Sequence, residues 1–90
     1  MYKLAANIIY DSDNESNKKY IMDIDSGDLF QLNETASIIV EFIMNKKTMV
    51  DYVAFIQEHS IDHIEEKRII NDYQSYIGLL FEKGYIEEDE

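Results

Sequence analysis

The sequence predicts an α+β domain spanning residues 1–90, a three-stranded antiparallel sheet followed by three helices in a winged helix-turn-helix-like arrangement. Apolar residues recur at every second position up to Leu32 and at helical spacing after it. The 90 residues are 46% hydrophobic, enough for one small core. No proline and only three glycines are present to interrupt the helical patterns.

The first strand sets Tyr2, Leu4, Ala6, Ile8 and Tyr10 on one face and Lys3, Ala5, Asn7 and Ile9 on the other, as a half-buried strand requires. Polar, turn-prone residues from Asp11 to Lys18 end it in a loop. In the second strand Tyr20, Met22 and Ile24 share one face, and Lys19, Ile21, Asp23 and Asp25 the other. Ser26-Gly27 is the hairpin turn, with glycine supplying the positive φ. Asp28 to Leu32 returns as a short third strand, Phe30 and Leu32 toward the core and Leu29 and Gln31 away from it.

After Leu32 the period lengthens. Asn33 is a helix N-cap, and Glu34 suits the positive end of the helix dipole. Ala36, Ile39, Val40 and Ile43 then trace one helical face, and Asn45-Lys46-Lys47 closes the helix. Thr48 with Asp51 has the spacing of a capping box, ahead of a second stripe of Met49, Tyr52, Val53 and Ile56. Asp62 with Glu65 gives a third such start, ahead of Ile69, Tyr73, Tyr76, Ile77 and Leu80. Gly84 is the residue beyond the last helix, and Glu87-Glu88-Asp89-Glu90 is expected to fray. Phe30, Leu32, Ile39, Ile43, Val53, Ile56, Tyr76, Ile77 and Leu80 are the expected core.

Composition excludes several functions. Without cysteine there is no disulfide framework, zinc–thiolate site or thiol nucleophile. A net charge of −11, spread evenly along the chain, opposes nucleic-acid backbones and anionic membranes. No apolar run could span a bilayer and no signal-peptide pattern opens the chain, so a soluble cytoplasmic domain is expected.

No motif carries chemistry. His59 and His63 are four apart, but Ser60 and Asp62 place a helix end between them, which breaks the spacing of a metal pair. Asp11, Asp13 and Glu15 resemble the start of a calcium loop, as do Asp23 and Asp25, yet Ser16 and Asp28 stand where the loop glycine belongs. There is no phosphate-cradling glycine loop and no nucleophile motif. Neither a cofactor, a metal nor a catalytic residue is therefore expected. If the helices form a winged helix-turn-helix, its groove helix would be Thr48 to His59, which carries Asp51 and Glu58 but no Lys or Arg, the wrong sign for DNA. A DNA-binding regulator is disfavoured on that ground, and a winged-helix adaptor for a folded partner remains an alternative. Gly78 sits inside the third helix at a cost of about 1 kcal/mol relative to alanine. Close packing, simple tolerance, or the approach of another molecule would each account for it.

The run Leu32-Asn33-Glu34-Thr35-Ala36 with Ile38-Ile39, the turn Asn45-Lys46-Lys47 before Thr48, and the ending Tyr73, Tyr76-Ile77, Leu80, Gly84-Tyr85-Ile86 resemble the PqqD-like family of RiPP recognition elements. The resemblance extends over nearly the whole chain, the strands matching in pattern only. It implies a non-catalytic domain that grips the leader segment of a ribosomally made precursor peptide. The leader is then presented to a modifying enzyme or leader peptidase, as in lasso-peptide, thioether-peptide and quinone-cofactor pathways. By that resemblance the leader adds a strand beside Asp28, Leu29, Phe30, Gln31 and Leu32. The facing wall would be the third helix, through Lys67, Ile70, Tyr73, Gln74, Ile77 and Phe81, with Lys67 and Arg68 as a local basic spot.

Overall fold

The computed structural model describes residues 1–89. The elements are β1 (Tyr2–Leu4), β2 (Ile8–Asp13), β3 (Lys18–Asp23), β4 (Leu29–Leu32), α1 (Glu34–Met44), α2 (Met49–His59), α3 (Glu66–Glu82) and β5 (Ile86–Glu88). Strands β2, β3 and β4 form the antiparallel sheet in that order, ahead of the three helices, and β1 pairs with β5 in a separate ribbon. The α+β class and the sheet-then-helices order are as expected.

The single strand expected from Tyr2 to Tyr10 is two strands. The Ala5 N–H donates to the Tyr85 carbonyl (3.0 Å) and the Ile8 N–H to the Ala5 carbonyl (3.0 Å), turning the chain at Ala5–Asn7. Because the turn takes three residues, the alternation keeps its phase, and Ile8 and Tyr10 still face inward as Tyr2 and Leu4 do. β1 is thereby free to pair with the end of the chain, Leu4 opposite Ile86 and Tyr2 opposite Glu88. The acidic end is thus a strand as far as Glu88, and only Glu90 lies outside the described residues. The β2–β3 loop is shorter than expected, since Asp13 and Lys18 are paired in the ladder.

In β3 the buried residue is Ile21, 1% exposed, which stands between Tyr10 and Phe30. Met22 and Ile24 lie on the solvent side, because register with β2 and β4, rather than β3's own composition, decides which face turns inward.

Helix ends follow local chemistry. The Asn33 side chain accepts from the Ala36 N–H (2.8 Å), and Thr48 with Asp51 forms the expected capping box. Asp62 and Glu65 form none: α3 starts at Glu66, with no side-chain cap. It closes on Gly84 at φ 75°, with Tyr85 N–H bonding the Leu80 carbonyl (2.9 Å) and Gly84 N–H that of Phe81 (3.0 Å). α1 closes by the same pattern on Lys46 at φ 57°, a left-handed position costing about 1–2 kcal/mol for a non-glycine residue.

Leu32, Ile39, Ile43, Val53, Ile77 and Leu80 are buried together with Ile8, Ile21, Val40, Tyr52, Ile69, Tyr73 and Ile86. Phe30, Ile56 and Tyr76 were expected inside and are half-buried, at the rim of the core.

Candidate functional site

Among the described residues β4 pairs with β3 alone, which leaves its other edge open. The Asp23 N–H donates to the Asp28 carbonyl (2.9 Å), which makes this pair a hydrogen-bonded one. In an antiparallel ladder such pairs alternate, so Ile21–Phe30 and Lys19–Leu32 are the next ones along the register. The N–H and C=O groups of Leu29 and Gln31 therefore point away from β3, toward the open edge. Their side chains lie on the outer face, Leu29 62% exposed, while Phe30 and Leu32 turn inward.

The hairpin that presents this edge is held by Asp23. Its Oδ1 accepts from Asn7 Nδ2 (3.1 Å) and from the Asp25 N–H (2.9 Å). The Asn7 bond, then the Asp25 bond, hold its carboxyl below the usual carboxylate range.

α3 borders the edge through one stripe of side chains. Asn33 Nδ2 donates to Tyr76 Oη (2.9 Å), and Lys83 Nζ sits 5.7 Å above the Phe30 ring. Tyr85, just past the helix, brings its ring to 5.8 Å from Phe30. Leu79, 41% exposed, lies between Tyr76 and Lys83 on the same helical stripe. The strip between β4 and α3 thus combines unpaired backbone groups, an aromatic and aliphatic wall, and one ammonium group. Among the described residues the ion pairs are Lys3–Glu87 and Lys19–Glu41, so Lys83 has no carboxylate partner there.

The structure places the residues singled out from the sequence in two groups. Asp28, Leu29, Phe30, Gln31 and Leu32 form the open edge and its turn. The helix residues do not face it. Tyr73 and Ile77 are each 7% exposed and belong to the core. Lys67, Ile70, Gln74 and Phe81 lie about 120–180° around α3 from Tyr76, because each residue turns the helix by about 100°. Ile70 lines a depression with Val50 and Val53 of α2, and Phe81 packs edge-on against Tyr2 (6.3 Å). Gln74 borders a groove with Lys47 and Thr48. Tyr76, Leu79, Lys83 and Tyr85 are the residues beside β4. Their spacing was visible in the sequence; which side of α3 meets the strand was not.

Elsewhere, α2 ends at His59, whose ring stacks on Phe55 (4.2 Å) with Nδ1 2.9 Å from the Phe55 carbonyl. His63 lies beyond that end, on the loop before α3.

No protein-family model and no curated protein matches the sequence. Two solved structures match its fold over nearly their whole length. One is lasso peptide synthetase B1 complexed with the leader peptide, with a TM-score of 0.84 and 22% identity, over 97% of this chain and 98% of that one. The other is TbiB1 in complex with the TbiA(beta) leader peptide, with a TM-score of 0.81 and 15% identity, over 98% of each chain. The chain therefore has the fold of these two leader-bound proteins.

Proposed function

We propose that this chain binds the leader segment of a ribosomally synthesised precursor peptide and presents it to the enzyme that modifies or cleaves the precursor. The observation that carries this is the open edge of β4 beside the Tyr76–Lys83 stripe, on a fold whose solved counterparts hold leader peptides. An extended leader would take up the N–H and C=O groups of Leu29 and Gln31, four hydrogen-bonding groups in all. Backbone pairing is indifferent to leader sequence, so discrimination falls to side chains that reach Tyr76 and Leu79. The role has no chemical step and calls on no cofactor or metal. Lasso-peptide biosynthesis is the pathway class that the first structural counterpart supports.

The net charge of −11 slows encounter with an acidic leader and favours a neutral or basic one, with Lys83 as the one cation placed over the strip. Titration of the isotope-labelled chain with its cognate leader, followed by amide chemical shifts, tests the proposal. The expected shifts cluster at 28–33, 76–85 and the adjoining part of β3. Shifts confined to α2 and the His59–His63 loop would overturn it in favour of an adaptor for a folded partner.

A further inference from the structure

We propose that the far side of α3 is a second docking site, taking a folded protein, the enzyme that receives the leader, through an apolar side chain flanked by a carboxylate. The proposal rests on leader binding at β4. A groove of about 490 Å³ lies there, between α3, the start of α2 and β1. Its floor is apolar, from Ile43 and Ile77, and its rim carries Lys47, Gln74 and Gly78.

One feature that forgoes stability lines this groove. Gly78 is exposed in the middle of α3, has no positive φ, and a Cβ built on it would touch nothing within 4 Å. Neither close packing nor backbone conformation accounts for it, which leaves simple tolerance and a partner seated against the helix backbone, the two outcomes that the test below separates. Departures from local preference with no internal compensation mark functional surface. Exposed apolar residues adjoin its lining along the chain: Val50, at 73%, follows Met49, and Met44 follows Ile43.

Charge identifies the partner's chemistry. In a chain of net charge −11, Lys46 and Lys47 are adjacent, exposed and outside the ion pairs of the described residues. They suit a carboxylate beside the entering apolar group. Gly78 lies about 200° around the helix from Tyr76, so leader and enzyme would occupy opposite sides of α3 at once.

The test uses the full chain, its cognate leader and the purified modifying enzyme or leader peptidase of the same pathway. Gly78→Gln fills the rim, and Lys47→Glu reverses its charge. Gly78→Gln is expected to keep leader affinity within twofold, raise the thermal midpoint and weaken the enzyme complex at least tenfold. Lys47→Glu is expected to slow enzyme association several-fold and to reduce its salt dependence. Unchanged enzyme affinity in Gly78→Gln, or a lowered thermal midpoint, overturns the site, and an unchanged association rate in Lys47→Glu overturns the acidic occupant. A tenfold loss of leader affinity in Gly78→Gln overturns it too, by placing the leader in the groove. Failure of the underlying reading shows separately, as wild-type leader affinity in Gln31→Pro, a substitution on the other side of α3.

Discussion

Gln31→Pro separates the edge of β4 from its ladder. The Gln31 N–H points away from β3, so proline removes a donor that the folded chain does not use. The preceding residue, Phe30, is already extended, as a residue before proline must be. In the leader complex the same change deletes one backbone hydrogen bond, worth about 1 kcal/mol, and leaves a leader carbonyl unpaired at a further cost of about 1–3 kcal/mol. The sum of about 2–4 kcal/mol corresponds to a loss of roughly 30-fold to several hundred-fold in affinity. Fluorescence anisotropy with a labelled leader reads the affinity, and thermal unfolding reads the fold. Gln31→Ala, which keeps the N–H, should bind within a few-fold of wild type. A Gln31→Pro protein that unfolds at the wild-type temperature and binds leader with wild-type affinity would refute the strand-addition argument.

On the helix side, Leu79→Asp should weaken leader binding by about 1–3 kcal/mol if it removes one anchor. Ile70→Asp, on the α2 side, should leave it nearly unchanged, and calorimetric titration of both variants checks the assignment of faces. Leu80→Ala, at a fully buried core position, should lower the unfolding free energy in urea by about 2–5 kcal/mol. The Thr48 N–H, then its hydroxyl, hold the Asp51 carboxyl below the usual carboxylate range. The stability this brings is therefore present above about pH 4 and lost as pH falls through the depressed value. Asp51→Asn should lower the thermal midpoint at pH 7, with the difference shrinking toward pH 2.

The elements with local causes were legible in the sequence. Asn33 and the Thr48–Asp51 box fix two helix starts, Gly84 fixes an end, and period-2 alternation gives the paired stretches of the sheet. What depends on distant partners was not legible. The Ala5–Asn7 turn exists because Tyr85, eighty residues on, offers a carbonyl to Ala5, and the acidic tail is a strand because β1 is available to pair with it. Ile21 faces inward, although Lys19 and Asp23 share its face of the strand, because Tyr10 and Phe30 stand on either side of it. The candidate site divides in the same way. The edge strand followed from its position last in a meander of hairpins. The wall of α3 depended on which face the helix turns to β4, and contacts such as Asn33–Tyr76 and Phe30–Lys83 decide that only in three dimensions.

Hydrogen exchange at individual amides of β4, with and without the cognate leader, is the most direct measurement of leader addition to this edge. In the free chain the N–H groups of Phe30 and Leu32 are bonded within the ladder, while those of Leu29 and Gln31 face outward. The expected result is a large slowing of exchange at Leu29 and Gln31 on leader binding, bringing them to the level of Phe30 and Leu32. Leader binding that leaves Leu29 and Gln31 exchanging at their free rates, with protection appearing elsewhere on the molecule, would contradict it.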